Sequence, residues 1–315
     1  MVTFLSSYNI VFSLTFPPSL SILNSRFPPP FRGMALPPGS VERVFVKAVP
    51  PLRPRASLGQ NFLRDPNIAH KIVATVAPGP GDTVLEIGPG EGALTFELAA
   101  LAGKLVIVDV DERVIARMQE AFAGKPVEVL HADILRLDLQ VLAARVGPLR
   151  VIGNIPYNIT SPILFHILEN RAVIRDCTLL MQREVALRLA AVPRTKDYSV
   201  LSIMTQFYAD VEVAFDVPPT VFYPRPKVTS SLVRLRPLSQ PRVSVLDEDF
   251  FRSMVRGVFG KRRKTLRNSL RYFLEAEPPP TTFDLIRRPE ELTLAELGVL
   301  SDELVRAGHG TKGGT

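Results

Sequence analysis

The sequence predicts an α/β protein, with a Rossmann-like domain on a mixed, mostly parallel sheet and a small C-terminal all-α domain after it. Three observations carry this reading. From about residue 57, apolar strand-like runs alternate with amphipathic helix-like runs, the signature of βαβ units. A glycine-rich turn directly follows the first of those strands. After Pro237 the strand-like runs stop and only helical periodicity continues.

The elements follow in order. Thr83 to Gly88 reads as a buried strand and Gly92 to Leu101 as the helix after it. Leu105 to Asp109 is a second strand and Glu112 to Phe122 a second helix; Val127 to Leu130 is a third strand. Leu149 to Gly153 is a fourth strand, Ser161 to Asn170 a helix, and Thr178 to Met181 a fifth strand. Runs near 211–217 and 228–235 suit an antiparallel pair that completes the sheet. Beyond Pro237, helical stretches near 247–259, 261–275, 281–287 and 293–307 are separated by Pro278-Pro279-Pro280 and Pro289. The expected organisation is an extension over 1–40, the α/β domain over 41–237, the helical domain over 238–308 and a flexible tail over 309–315.

Composition narrows the function. The chain has 315 residues, 46% hydrophobic and 22% charged, as in ordinary globular enzymes. A formal charge of +7 suits a polyanionic partner, because each cation docked on a phosphate releases counterions. The single cysteine, Cys177, lies in an apolar run; it permits no internal disulfide and reads as a core residue. His70, His131, His166 and His309 show no metal-ligand spacing, so no metal is expected. No apolar run reaches the length of a membrane span. Residues 1–40 contain no acid, two basic residues (Arg26 and Arg32) and the proline clusters Pro17-Pro18 and Pro28-Pro29-Pro30. They read as a disordered extension or an upstream start, with Met34 as the alternative first residue. An organelle address there stays open.

The first motif with chemistry is Glu86-Ile87-Gly88-Pro89-Gly90-Glu91-Gly92. Glycines such as Gly88 and Gly90 let backbone approach a ligand closely. The carboxyl of Glu86 disfavours a pyrophosphate and tolerates a cationic ligand such as S-adenosylmethionine. Asp109, 21 residues after Gly88 at the end of strand two, is placed to bind ribose hydroxyls, and Asp111 competes for that role. Asp133, after strand three, is placed to accept from an adenine amino group. Each alone is also a common structural feature; the ordered set points to a nucleoside cofactor.

Strand four ends in Asn154-Ile155-Pro156-Tyr157. If strand order reverses between strands one and four, Gly88 and Asn154 share one crevice. The exocyclic N6 of adenine is a poor nucleophile because its lone pair is delocalised into the ring. Two acceptors on its N–H bonds, the Asn154 side-chain oxygen and the Ile155 carbonyl, draw that nitrogen toward a tetrahedral shape. Pro156 stiffens the turn, and Tyr157 offers a flat face to an unstacked base. From Arg252 to Arg271 there are eight basic residues and no acid: Arg252, Arg256, Lys261, Arg262, Arg263, Lys264, Arg267 and Arg271. That run reads as a phosphate-binding surface, which Arg53, Arg55, Arg183, Arg225 and Lys227 extend around the crevice.

At these residues the sequence resembles the KsgA/Dim1 family of ribosomal RNA small-subunit adenine N6,N6-dimethyltransferases. The resemblance runs from about residue 53 to 300. It rests on Ser57 to Leu63, the Glu86–Gly92 turn, Asn154 to Tyr157, Met181 to Ala186, Phe222 to Val228 and Gly260 to Thr265, in that order. It implies a class I methyltransferase fold with S-adenosyl-L-methionine as cofactor. It also implies successive dimethylation of two adjacent adenosines in the 3′-terminal hairpin loop of small-subunit rRNA. Family roles carry over to Asn61 and Leu63, which border the cofactor, and to Gly88, Asp109, Asp133 and Asn154. Phe222 matches a second aromatic that sandwiches the target base against Tyr157; read without the family, it is equally a loop anchor. One departure is Ile155, where bacterial members more often carry Leu and macrolide-resistance methyltransferases of large-subunit rRNA often carry Ile. The expected partner is small-subunit rRNA or its 30S precursor, met in the cytoplasm by a monomer, with no membrane and no metal. The competing readings are a macrolide-resistance-type enzyme and a non-catalytic RNA-binding factor for ribosome assembly or transcription.

Overall fold

The computed structural model describes Phe4–Leu5, Val11–Phe12, residues 51–260 and residues 264–310. The readings of residues 1–40 (apart from those two dipeptides), of Lys261, Arg262 and Arg263, and of most of the tail lie outside the described residues. The chain forms two compact units, Met1–Pro51 and Leu52–Thr315. In the first, Phe4–Leu5 pairs antiparallel with Val11–Phe12.

The second unit is built on a seven-stranded sheet. Its strands are β1 (Thr83–Ile87), β2 (Lys104–Asp109), β3 (Val127–His131), β4 (Leu149–Asn154), β5 (Ile174–Gln182), β6 (Ala209–Val217) and β7 (Ser230–Pro237). Their spatial order is β3-β2-β1-β4-β5-β7-β6. β1 to β5 pair parallel with their neighbours, and β7 runs antiparallel to both β5 and β6. The mixed, mostly parallel sheet and its closing antiparallel pair are therefore as the sequence predicts.

Strand sequence dictates which side chain faces which layer. Leu105 and Ile107 of β2 join one apolar cluster with α1 (Pro66–Val76), α2 (Thr95–Leu101) and α3 (Glu112–Ala121). Val106 and Val108 join the opposite cluster. The two-residue period of the strand sorts them. That opposite face is covered by α4 (Leu139–Val146), α5 (Thr160–Glu169), α6 (Arg183–Leu189) and α7 (Val200–Tyr208). The helices after Pro237 add to the same cluster: α8 (Glu248–Phe259), α9 (Leu266–Leu274) and α10 (Leu294–Leu304). Phe207 of α7 stacks on Phe251 of α8, with ring centroids 4.6 Å apart. Cys177 is fully buried in this core.

One helix expected from sequence is absent. Over 281–287 the chain makes turns, because short polar side chains offer the backbone a local alternative. Thr281 accepts from the Phe283 amide at 3.2 Å, and Asp284 from the Ile286 amide at 2.9 Å. This turn then caps α9: the carbonyls of Arg287 and Leu285 accept from the amides of Leu266 and Arg267.

Candidate active site

The order of strands reverses between β1 and β4, which lie side by side with Ile87 opposite Gly153. The glycine turn and the Asn154 motif thus leave adjacent strands at the same end of the sheet. A Cβ on Gly88 would sit 3.9 Å from the Asn154 carbonyl oxygen. The turn itself needs glycine: Gly88, Gly90 and Gly92 have φ of +69°, +56° and +92°. At Gly90 a Cβ would also stand 2.8 Å from the Phe62 ring.

These segments enclose a cavity of about 250 Å³, lined by 57–63, 86–91, 108–110, 132–135 and 154–159. Asn61, Leu63, Gly88, Gly90, Asp109, Asp133, Asn154, Ile155, Pro156 and Tyr157 all line it. The sequence-predicted cofactor and catalytic residues therefore converge on one space, with one exception. Phe222 is 5% exposed and packs in the apolar cluster beneath α1 to α3, outside the cavity lining.

The structure separates the two candidate ribose acids. Asp111 caps α3 and is consumed by structure: it accepts from the Arg113 guanidinium at 2.6 Å and from the Gln60 amide at 2.9 Å. Those bonds hold its carboxyl down at about 2. Asp109 lines the cavity; its Oδ1 accepts from the Asp111 amide at 2.8 Å, and the Val110 amide also bonds to its carboxyl. Burial pushes Asp109 up to about 6. Asp133 also lines the cavity; its Oδ1 accepts from the Leu135 amide at 3.0 Å.

Glu86 is the most unusual group at the site. It is 1% exposed, and its Oε2 has no hydrogen-bond partner. Burial, reinforced by the nearby Asp109 charge, pushes it up to about 8. A buried carboxyl left unpaired on a cavity wall is costly unless a ligand satisfies it. The glycine cradle, the cavity-lining carboxyl of Asp109 and the orphaned Glu86 oxygen suit a cationic nucleoside–amino acid conjugate such as S-adenosylmethionine.

The catalytic motif is held from two sides. The Asn154 amide nitrogen donates to the Asn61 carbonyl at 2.8 Å, which fixes the nitrogen end of the amide and leaves Oδ1 for another donor. The Tyr157 hydroxyl and Ser230 Oγ are 2.7 Å apart. Ser230 is fully buried on β7, so Tyr157 is braced by the antiparallel end of the sheet. Sequence reasoning missed this serine; its only signal is its place two residues beyond the Phe222–Val228 segment. Among the described residues no group of His, Cys, Asp or Glu is placed to hold a metal ion.

Among the described residues, the structure brings none of Arg252, Arg256, Lys264, Arg267 and Arg271 into the cavity lining. Arg252 pairs with Asp249, and Arg271 with Glu277 at 3.2 Å. The Arg256 guanidinium lies 5.8 Å from the Phe165 ring centroid. Lys264 and Arg267 are exposed. Among the described residues no helix is long and apolar enough to cross a membrane.

Comparison with known proteins matches this architecture. Residues 52–283 match the family model described as ribosomal RNA adenine dimethylase. A ribosomal RNA small subunit methyltransferase A of Aromatoleum aromaticum is 46% identical over 245 residues, covering 78% of this chain and 91% of that protein. Its counterpart in Geobacter sulfurreducens is 43% identical over 268 residues, covering 82% and 97%. Among solved structures, a dimethyladenosine transferase from Plasmodium falciparum superposes with a TM-score of 0.65 at 26% identity, covering 78% of this chain and 98% of that one. The 23S rRNA methyltransferase ErmE superposes with a TM-score of 0.56 at 30% identity, covering 77% and 100%. The chain belongs to the ribosomal RNA adenine dimethylase family, enzymes that use S-adenosylmethionine to methylate adenine in rRNA.

Proposed function

We propose that this enzyme dimethylates N6 of two adjacent adenosines in the 3′-terminal hairpin loop of small-subunit rRNA, acting as a monomer on the 30S precursor in the cytoplasm. One observation carries the catalytic reading. Asn154 Oδ1 is freed by the bond of its amide to the Asn61 carbonyl, beside the glycine turn that borders the cofactor cavity. Asp109 holds the cofactor ribose, Asp133 the adenine amino group, and the Gly88–Gly90 backbone with Glu86 the cationic remainder. The cofactor supplies an activated methyl on sulfur and a neutral thioether leaving group. Asn154 Oδ1 and the Ile155 carbonyl accept from the two N–H bonds of the target amine and localise its lone pair toward that methyl. Their partial negative charge also stabilises the positive charge that grows on the nitrogen. Tyr157, braced by Ser230, stacks on the extruded base.

The higher identity to the two small-subunit enzymes, 46% and 43% against 30% for ErmE, favours the small-subunit target over the large-subunit one. The helical segment 238–308 serves as the rRNA-binding part, with Arg252, Arg256, Lys264, Arg267 and Arg271 and the neighbouring Lys261, Arg262 and Arg263 meeting phosphates. The test is transfer of labelled methyl to purified unmethylated small and large subunits, followed by mapping of dimethyladenosine. The expected product is dimethyladenosine in the small-subunit 3′ hairpin. Label in the large subunit alone overturns the assignment, and absence of label in both supports a non-catalytic assembly factor.

A further inference from the structure

We propose that Tyr223, with Arg64, Arg225 and Lys227, forms a subsite beside the cavity that stacks an unpaired rRNA base flanking the target adenosine and holds its phosphate. The inference rests on the reading of the chain as an rRNA methyltransferase and adds to it a nucleotide site outside the reaction pocket.

The ribbon of Phe62–Leu63 and Phe222–Tyr223 places this tyrosine. Tyr223 pairs with Phe62 and Phe222 with Leu63, and both Phe62 and Leu63 line the cavity. Because side chains alternate along a strand, only one of the two neighbouring aromatics can face inward. The structure turns Phe222 into the apolar cluster and leaves Tyr223 48% exposed, one strand from the cavity wall.

Tyr223 is also held rigid. The Arg64 guanidinium lies 4.1 Å from its ring centroid, and the Arg64 amide donates to the Val221 carbonyl at 2.8 Å. Arg64 Nε donates to Glu91 Oε2 at 3.3 Å, while Glu91 Oε1 accepts from the Leu52 amide at 2.9 Å. An exposed aromatic fixed in this way has lost its conformational freedom before any ligand arrives, which favours binding. With Arg64 on one face, its remaining exposed surface presents an aromatic plane of the kind on which bases stack.

Charge selects the occupant. Between Asp216 and Asp247 there is no acidic residue. Arg225 and Lys227 are exposed two and four residues beyond Tyr223, and neither forms an ion pair among the described residues. A flat ring with a stacked guanidinium, followed along the chain by two exposed cations, matches a nucleotide, with a π face and a phosphate, better than an apolar or acidic peptide.

The experiment uses a small-subunit 3′-hairpin RNA with 2-aminopurine at each nucleotide flanking the target adenosines. Wild-type protein should quench the probe at one flanking position. Tyr223→Phe keeps the ring and should keep both the quench and the affinity. Tyr223→Leu keeps apolar bulk without a ring; it should lose the quench and bind RNA about tenfold more weakly, the size of one lost stack. Affinity for S-adenosylhomocysteine should be the same in all three, which reports an intact cavity. Replacing Arg225 and Lys227 by Ala should lower the salt dependence of RNA binding by about 0.7 per charge. If Tyr223→Leu quenches and binds as wild type does, the subsite does not exist, while methylation of the same RNA by wild type leaves the functional reading standing. If Tyr223→Leu binds naked RNA normally but loses affinity for assembled subunits, this surface meets protein and the RNA assignment falls. Failure of wild type to bind or quench the hairpin would sink the subsite alone, and failure to methylate unmethylated small subunits would sink both.

Discussion

The two ends of the central sheet bury charge in opposite ways. At the amino ends of the strands, Arg150 is 7% exposed and every neighbour answers it. Its guanidinium donates to Asp82 at 2.8 Å, pairs with Asp176 at 2.8 Å, and reaches the Val76 and Ala77 carbonyls at 2.7 and 3.2 Å. At the carboxyl ends, Glu86 is a buried carboxyl and Asp109 a half-buried one, neither in an ion pair among the described residues, and one Glu86 oxygen has no hydrogen-bond partner. The closed end is a clamp that ties α1 to three strand ends. The open end stores unmet hydrogen-bonding capacity, which is the form a binding site takes before its ligand arrives.

This contrast can be broken experimentally, starting with the largest effect. Arg150→Ala leaves Asp176 without its cation and Asp82 with Arg175 alone, and should cost about 3 kcal/mol of stability, read by urea unfolding. A loss under about 1 kcal/mol would mean the clamp is ornamental. Asn154→Ala at the open end should do the reverse. It should lower kcat about 100- to 1000-fold while the unfolding midpoint and affinity for S-adenosylhomocysteine stay near wild type. Undiminished turnover would remove the amine acceptor.

The pH dependence of stability should carry opposite signs at the two ends. Glu86 is raised from 4.5 to about 8 by burial, so between those values the folded chain holds a proton that the unfolded chain has released. Stability therefore falls as pH rises through that window, and Glu86→Gln should flatten the decline. Burial works to raise Asp82, but Arg150, the Gly79 amide and Arg175 together overcome it and hold the carboxyl below its usual 3.8. That contribution is present above 3.8 and is lost as pH falls through the lowered value, so Asp82→Asn should flatten only the acid limb. Melting temperatures from pH 3 to 9, at about half-unit steps, distinguish the two; parallel curves for both variants would erase the contrast. Smaller still, replacing Lys261, Arg262, Arg263 and Lys264 by Ala should leave both ends of the sheet untouched and reduce the salt slope of RNA binding by up to about 0.9 per charge. Deleting residues 1–33 should change neither methyl transfer nor stability of the second unit.

Features fixed by backbone sterics could be read from residues alone. The glycine turn, the strand ends and their convergence on one crevice follow from residue type and spacing. Asp109 and Asp111 were not separable that way, because both are acids at the end of β2. What separates them is that α3 takes Asp111 as its cap, a choice signalled only weakly by the helical run that begins at Glu112. The helix α7 is buried at Leu201, Ser202, Ile203, Met204, Thr205, Phe207 and Tyr208, nearly all round, so it shows no polar stripe to reveal its period. α4 spans only about two turns and offers few repeats. The turn over 281–287 was hidden because side-chain hydrogen bonds competed with a helix of ordinary propensity. The partnership of Tyr157 with Ser230 joins positions 73 residues apart and belongs to tertiary structure alone.

Gly153 has a consequence of its own. A methyl group there would stand 2.7 Å from the Ile87 carbonyl oxygen, so β1 and β4 touch where the glycine turn and the Asn154 motif diverge. The two segments proposed to hold donor and acceptor are therefore rooted on neighbouring strands about 4.8 Å apart, a backbone spacing that side-chain substitution does not adjust. Substitutions on rims and loops can change what the crevice presents, while the roots of its two walls stay tied by the parallel pairing of the two strands.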